Sequence, residues 1–195
     1  MTTKIIIENL IHALHTQRPK NLLASSSTKV KAAVLVPIID YPTGLQLLFT
    51  KRTNHMKSHP GQISFPGGHV ESRDISLEAT ALRETYEEIG LPPDKVTLIC
   101  RLPEQETVSS PSYLVTPVVG ILSPPLELFA EPIEVAEIFE VPLEFLFNPK
   151  HHQHHCQQWE GQWRDFYVID YKGYLIWGLT AKIVVGLSEI LKNDL

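Results

Sequence analysis

The spacing of apolar and polar residues along this chain predicts a sheet of several strands with few helices. Residues 31–39 and 45–52 are apolar and β-branched enough for two buried strands, and the turn-forming residues 41–44 between them predict a hairpin. Further strands are predicted over residues 96–102, 113–122, 135–141 and 163–170, with a loop over residues 103–111.

Helical spacing occurs at both ends of the chain. Residues 1–20 combine apolar positions with Glu8 and Asn9 and predict an amphipathic helix, and residues 178–191 carry apolar side chains at helical intervals. A short helix is predicted over residues 142–147, begun by its proline. Several strands with few helices indicate an α/β sandwich, in which helices cover the faces of a mixed sheet.

A further helix, in the middle of the chain, carries the most informative pattern. When the residues are placed at about 100° intervals on an α-helix, the carboxylates of Glu84, Glu87 and Glu88 fall in one sector. The opposite side is apolar and predicts a face that packs on a core. The residues of that face are Ala79, Leu82, Tyr86 and Ile89.

The ends of this acidic helix are defined by the residues around it. Gly90 is a helix stop signal, and Asp74 or Ser76 can cap the start. Like charges at these spacings cost roughly 0.2–0.5 kcal/mol per pair, and a hard cation such as Mg²⁺ or Mn²⁺ would remove the repulsion. A solvated acidic face is the alternative, but the glycine turn at residues 66–68, the cap and the carboxylates together favour a metal site.

Composition limits the class of protein. The 195 residues, 43% of them hydrophobic, favour one domain with a sizeable core, and the net charge of −5 argues against nucleic acid as a partner. No apolar run approaches the roughly 20 residues that span a bilayer. With Cys100 and Cys156 expected as reduced thiols, we predict a cytoplasmic protein without a membrane partner. We divide it into an N-terminal helix and linker, residues 1–29, and a domain, residues 30–195.

The glycine turn and acidic helix resemble the Nudix box, the metal-binding loop–helix–loop of hydrolases that cut nucleoside diphosphates linked to another group. The matching residues are Arg83, Glu84, Glu87, Glu88, Gly90 and Leu91. The stretch from Gly68 to Arg83 is one residue longer than the pattern, Asp74 occupies the place of an early Glu, and Thr85 replaces an aliphatic residue. The resemblance implies a Nudix-type α/β/α sandwich and a Mg²⁺ or Mn²⁺ site formed by Glu84, Glu87, Glu88 and Gly68.

The residues before the box resemble a narrower branch of this family, the coenzyme A pyrophosphatases. Residues 47–68 read LLFTKRTNHMKSHPGQISFPGG, and the matching positions are Leu47, Leu48, Thr50, Gly61, Phe65, Pro66, Gly67 and Gly68. Lys57 stands where the branch usually has Arg, which keeps the charge but loses the planar fork. The resemblance implies hydrolysis of the pyrophosphate bond of coenzyme A or an acyl-CoA, giving 3′,5′-ADP and 4′-phosphopantetheine.

The same resemblance implies roles for single residues. Those expected to bind the small-molecule substrate are Arg52, Lys57, Gly61 and Phe65. Arg83 is expected to orient a carboxylate, and the general base is left open between Glu84 and a downstream acid at Glu134 or Glu137. The rings of Phe65 and Tyr113 either stack on a base or belong to the core. A homodimer is left open as the assembly.

Other functions stand as alternatives. Hydrolysis of ADP-ribose or NADH would use the same box but gives no reason for the pattern in residues 47–68. A non-catalytic nucleotide-binding module would be typical of a box that has lost a glutamate, and this box has lost none. Residues 151–155, His-His-Gln-His-His, suggest a metal site, but their polar flanks favour a surface loop, with Trp159 and Trp163 packed nearby.

Overall fold

The computed structural model describes residues 4, 5, 8, 12, 29–56, 58–107, 112–159 and 161–192. The predicted linker and nearly all of the predicted N-terminal helix lie outside these residues. No helix of the described part is long and apolar enough to cross a membrane.

The strands are β1 Val30–Tyr41, β2 Gly44–Arg52, β3 Ile63–Ser64, β4 Gly67–His69, β5 Val96–Arg101, β6 Gln105–Glu106, β7 Tyr113–Leu122, β8 Val135–Pro142, β9 Gln153–Trp159, β10 Gln162–Tyr171 and β11 Tyr174–Trp177. The helices are α1 Leu77–Ile89, α2 Leu143–Leu146 and α3 Gly178–Lys192.

A mixed sheet forms the centre of the domain. β1 runs parallel to β7, from Val30 opposite Tyr113 to Ile39 opposite Leu122. The other edge of β1 is divided, because its C-terminal half pairs antiparallel with β2 and its N-terminal half with β4. β2 pairs in turn with β3 and β8. This division places the glycine turn of β4 beside β1, next to the end of β2.

Helices cover both faces of this sheet. Alternate side chains of β1 point to opposite faces, so that Leu35 joins the core under α1 and Val36 joins the core under α3. A second, antiparallel sheet of β9, β10 and β11 adds Ile169 and Ile176 to the α3-side core. The predicted α/β sandwich with a mixed sheet is confirmed.

The acidic helix α1 begins and ends as its sequence predicts. The Ser76 hydroxyl accepts a hydrogen bond from the Ala79 amide at 3.1 Å, which caps the first turn. Gly90 has a φ of 68°, in the left-handed region, and its amide donates to the Tyr86 carbonyl. Glycine reaches this conformation without the steric cost of a side chain.

A buried carboxylate fixes the loop before α1 to the helix. The side chain of Asp74 is only 3% exposed. It accepts hydrogen bonds from the Glu71 amide at 2.8 Å, the Thr80 hydroxyl at 2.9 Å, and Nε and Nη2 of Arg83 at 2.9 and 3.0 Å. Pairing with Arg83 holds the pKa of Asp74 well below its usual range. Asp74 is therefore ionised and satisfied at physiological pH.

The predicted apolar face of α1 is wrong in part, because the helix turns a different set of residues toward the core than the sequence predicts. Tyr86 is 55% exposed, whereas Ala81, Thr85 and Glu88 are buried together with Ile89. Thr85 can face the core because its hydroxyl donates to the Ala81 carbonyl at 2.7 Å, so its polar atom is satisfied inside the helix. The rotation carries Glu88 under the helix, toward the glycine turn.

The predicted surface loop over residues 151–155 is also wrong. Gln153–Trp159 forms β9 and pairs antiparallel with β10. Ahead of the strand, Nε2 of His152 lies 2.6 Å from the Leu146 carbonyl oxygen. A polar composition misled the prediction because this strand exposes most of its side chains. Trp163, predicted to pack nearby, is 71% exposed.

Replacing Asp74 with Asn should lower the free energy of unfolding by about 2 kcal/mol, the scale of a hydrogen bond to a charged group. Because the folded-state pKa of Asp74 is lowered, this stabilisation is present above the ordinary Asp pKa of about 3.9 and declines as the pH falls below it. Chemical denaturation of wild type and Asp74→Asn at several pH values measures the difference. The exposed Asp94→Asn is the control, and equal stabilities of wild type and Asp74→Asn near pH 7 would contradict the expectation.

Candidate active site

A cluster of carboxylates lies where the C-terminal half of α1 meets the glycine turn. Glu88 is only 5% exposed, and its Oε2 accepts a hydrogen bond from the Gly67 amide at 3.4 Å. Glu84 and Glu87 lie beside it on the same helix, and Glu84 carries a side chain that is 19% exposed. The structure therefore brings the three predicted metal ligands to one end of the sheet.

Arg52, at the end of β2, faces the same cluster. Its Nη1 lies 3.8 Å from Oε1 of Glu88, and its Nη2 lies 4.0 Å from Oε2 of Glu134. Its Nε is buried and has no hydrogen-bond partner among the described residues. Since both contacts are longer than a charge-assisted hydrogen bond, Arg52 reduces the negative charge of the cluster without closing on either carboxylate.

Burial makes two of these glutamates difficult to ionise. Desolvation raises the pKa of Glu88 to about 8, and Arg52 and the Gly67 amide oppose this shift only in part. Desolvation also raises the pKa of Glu84, against the opposing effect of Arg83. Burial therefore favours the neutral form of these two carboxyls, and a cation beside them would favour the ionised form.

Arg83 connects the helix, the glycine turn and the loop before the helix. Its Nη1 donates to Glu84 at 2.9 Å and to Glu87 at 3.0 Å, and its Nη2 donates to the His69 carbonyl at 2.9 Å. The hydrogen bonds with Asp74, followed by the contact with Glu84, raise the pKa of Arg83 further above its already high value. Arg83 therefore bonds to two carboxylates of the cluster, Glu84 and Glu87.

Both glycines of the turn lie in close contact with neighbouring groups. A Cβ on Gly68 would lie 2.4 to 2.6 Å from the carboxylate atoms of Glu84. Gly67 has a φ of 154°, and a Cβ there would lie 2.4 Å from the Ala33 carbonyl oxygen. The backbone of β4 consequently lies directly against the Glu84 carboxylate.

The loop that carries Glu134 is fixed to the end of α1. The Phe129 amide donates to the Ile89 carbonyl at 3.0 Å, and the Glu131 amide donates to the Glu88 carbonyl at 2.8 Å. The Glu131 side chain then accepts from the Glu134 amide at 3.0 Å. These bonds hold Glu134 opposite Arg52, at the rim of the cluster.

Two aromatic rings left open by the sequence have partners within the fold. Phe65 is 3% exposed and stacks on Phe49, with ring centroids 4.9 Å apart. Its ring therefore belongs to the core and is not accessible for stacking on a base. Tyr113 is partly buried and stacks on His69 at 5.0 Å, beside the box.

The other predicted residues lie at different distances from the cluster. Gly61 forms a turn with a φ of 68°, and a Cβ there would lie 2.9 Å from Oδ1 of Asn54. Lys57 lies outside the described residues. Glu137, named as one alternative base, is bonded by the Tyr174 hydroxyl on the side of the second sheet.

The donor set of the cluster fits Mg²⁺ or Mn²⁺, because both cations prefer carboxylate oxygens. Within the described residues, no three acidic, His or Cys side chains converge closely enough to hold a metal as they stand. Glu84 and Glu87 are bonded to Arg83, and Glu88 lies toward Arg52. The two arginines supply the positive charge beside these carboxylates. To coordinate a cation, Glu84 and Glu87 would have to turn away from Arg83.

The residues that support the cluster were not predicted from the sequence. Asp74 was expected in the lengthened loop, but its pairing with Arg83 was not, although a carboxylate before a helix Arg could have indicated it. Glu131 had no predicted role, because its partners are backbone groups, which leave no signal in the sequence. The Gly67 amide, which donates to Glu88, was missed for the same reason.

Comparison with known proteins gives a family. The NUDIX domain model matches residues 29–160 of the chain. A protein from Photorhabdus laumondii, described as an uncharacterized Nudix hydrolase NudL, is 40% identical over 185 residues, which cover 95% of this chain and 97% of that protein. A protein of the same description from Enterobacter is 39% identical over 190 residues, which cover 96% and 95%.

Solved structures share the fold. An Ap4A hydrolase from C. elegans superposes with a TM-score of 0.51 at 23% identity, covering 59% of this chain and 81% of that one. A MutT/nudix family protein from Enterococcus faecalis superposes with a TM-score of 0.53 at 14% identity, covering 95% and 69%. At these identities the likeness concerns the fold alone. The domain match over more than half of the chain, and relatives aligned over nearly their whole length, show that the chain belongs to the NUDIX domain family.

Proposed function

We propose that this Nudix hydrolase cleaves the pyrophosphate bond of coenzyme A or an acyl-CoA with Mg²⁺ or Mn²⁺, giving 3′,5′-ADP and 4′-phosphopantetheine. The contact between Arg52 and Glu88 at 3.8 Å carries the proposal. Arg52 belongs to the segment that resembles the coenzyme A branch, residues 47–68, and Glu88 belongs to the box. The segment that resembles the coenzyme A branch and the acidic cluster therefore contribute to the same site.

The residues that would hold the cation are Glu84, Glu87 and Glu88, with the backbone at Gly68. When bound, such a cation polarises a phosphoryl oxygen and lowers the pKa of a bound water. The chain itself supplies orientation: Arg83 and Asp74 fix the helix against its loop, and Gly68 keeps the space beside Glu84 free of any side chain. Misplacement of such groups by about 1 Å can cost about 100-fold in rate.

Arg52 is suited to bind the pyrophosphate. A guanidinium offers donors in a planar fork that matches phosphate oxygens. The long contacts of Arg52 to Glu88 and Glu134, together with its unpartnered Nε, leave donors that an anion would satisfy. Binding there would also place the negative charge of the substrate beside the cation site.

Glu134 is the general base that the geometry favours. A base must reach the water that it deprotonates, and the Glu134 side chain is 47% exposed at the rim of the cluster. Glu84 is less exposed and is held by Arg83 at 2.9 Å, which suits a metal ligand better. Glu137 is engaged by Tyr174. We therefore assign Glu134 to proton removal and Glu84 to the cation.

A hydrolase of ADP-ribose or NADH is the alternative with the same chemistry. It would use the same carboxylates, but it leaves the contribution of residues 47–68 without a reason. A non-catalytic nucleotide-binding module is the alternative of another class. All three box glutamates and Arg83 stand in one cluster, which argues for catalysis over binding alone.

A substrate panel tests the proposal. With Mg²⁺ or Mn²⁺ present, we expect kcat/KM for coenzyme A to exceed that for ADP-ribose and NADH by about tenfold or more, because a site built for one substrate discriminates at least on that scale. Chromatography of the products should show 3′,5′-ADP and 4′-phosphopantetheine in equal amounts. A preference for ADP-ribose or NADH would replace the proposal, and binding without turnover of any compound would favour the non-catalytic module.

Gly68→Ala should lower kcat/KM by about 100-fold, because the new methyl group would collide with the Glu84 carboxylate and displace it. Gly186→Ala is the matched control, since a Cβ at that helical glycine meets nothing within 4 Å. Circular dichroism and thermal unfolding check that both variants fold. Full activity of Gly68→Ala would show that the position of Glu84 beside the glycine turn does not matter for turnover.

A further inference from the structure

Thr53 lies where the end of β2 meets the loop that carries Glu134. It directly follows Arg52 and is only 7% exposed, so its hydroxyl needs a partner inside the protein. The Thr53 hydroxyl donates to the Ile133 carbonyl at 2.7 Å, and the Thr53 amide donates to the Glu134 carbonyl at 2.9 Å. One residue therefore bonds to the backbone on both sides of the Glu134 α-carbon.

The backbone around Glu134 is held from a second side by Glu131. The Glu134 amide donates to the Glu131 carboxylate at 3.0 Å and to the Glu131 carbonyl at 3.2 Å, and the Val135 amide donates to the same carbonyl at 2.8 Å. Thr53 and Glu131 together thus satisfy both peptide groups that flank the Glu134 α-carbon. These bonds fix the direction in which the Glu134 side chain leaves the backbone, although that side chain is 47% exposed.

Arg52 has a backbone contact that does not involve the Thr53 hydroxyl. The Arg52 amide donates to the Gln62 carbonyl at 2.9 Å. Loss of the hydroxyl would therefore release the loop that carries Glu134 while Arg52 keeps this contact. The two groups can be separated by experiment for this reason.

We infer that Thr53 is a positioning residue that holds the carboxylate of Glu134 in place beside Arg52. The inference rests on the proposed function, in which Arg52 binds the pyrophosphate and Glu134 removes a proton from the attacking water. These two residues come from distant segments of the chain, and the bond between Thr53 and Ile133 joins the segments one residue away from each of them. A general base acts only within hydrogen-bond reach of its proton, so a shift of this loop would slow the chemical step.

Thr53→Val removes the hydroxyl and keeps the shape of the side chain. We expect kcat for coenzyme A to fall by about tenfold, which is less than the roughly 100-fold or larger loss expected when the base itself is removed in Glu134→Gln. KM should stay near the wild-type value, because Arg52 keeps its contact with Gln62. Thr53→Ser retains a hydroxyl and should restore kcat.

Ser188→Ala is the matched control. The Ser188 side chain is also buried, and its hydroxyl donates to the Val185 carbonyl at 2.8 Å within α3, on the other face of the sheet from α1. Its loss removes a comparable buried hydrogen bond and should leave both kcat and KM unchanged.

A double-mutant cycle separates positioning of Glu134 from a general loss of stability. If Thr53 acts through Glu134, Thr53→Val should cost nothing further in the Glu134→Gln background, because the group that it positions is already gone. Equal losses in the two backgrounds would overturn the inference. An unchanged kcat in Thr53→Val would overturn it too, and so would a rise in KM alone, which would show that Thr53 acts on Arg52.

Glu131→Ala provides a second test should circular dichroism show that Thr53→Val folds poorly. It frees the Glu134 amide from its carboxylate partner, so it should lower kcat and lose that effect in Glu134→Gln. A loss in Glu131→Ala that persists in Glu134→Gln would contradict the inference.

The inference and the proposed function can fail separately. The cycle is measured on whichever compound of the substrate panel is cleaved, so a preference for ADP-ribose or NADH overturns the proposed substrate but not the role of Thr53. If Glu134→Gln loses activity and Thr53→Val does not, the inference about Thr53 alone is wrong. If Glu134→Gln keeps full activity, the assignment of the base is wrong and the role of Thr53 falls with it. Cleavage of no compound by the wild type would contradict both.

Discussion

Burial of the Glu88 carboxylate against the glycine turn is the interaction on which the candidate site depends. A buried charge is costly unless it is paired and hydrogen-bonded. Glu88 has only the Gly67 amide at 3.4 Å and Arg52 at 3.8 Å. The glycine turn packs tightly here, because a Cβ on Gly68 would meet the Glu84 carboxylate and a Cβ on Gly67 would meet the backbone of β1. The weakly paired acid explains why the chain places an arginine from β2 beside the box and why a divalent cation would be bound there.

A second set of interactions keeps this arrangement rigid. Asp74 and Arg83 form a largely buried pair that joins the loop to the helix, and Arg83 then reaches Glu84 and Glu87. On the other side, the Glu131 amide ties the loop before β8 to the Glu88 carbonyl. The carboxylates are thus supported from both ends of the helix.

The sequence predicted the larger elements well because their signals are local. Helix α1 has Ser76 and Gly90 at its ends, and β1, β2 and β7 are long apolar runs whose identity does not depend on their neighbours. The short strands β3, β4, β6 and β11 were not predicted, because two to four residues carry no periodicity. For the site, the shared face of Glu84, Glu87 and Glu88 follows from helix geometry. The burial of Glu88 and the exposure of Tyr86 do not, since they depend on how the helix is turned against the sheet.

Metal binding tests the central claim most directly, because it addresses Glu88 without requiring that the substrate be known. The dissociation constant for Mn²⁺ should be measured by calorimetry or electron paramagnetic resonance for wild type, Glu88→Gln and the exposed control Glu144→Gln. We expect Glu88→Gln to bind Mn²⁺ at least about tenfold more weakly, since even a residue that only supports a metal ligand is worth that much. Glu144→Gln should bind as the wild type does. Equal affinities for wild type and a folded Glu88→Gln protein would contradict the account.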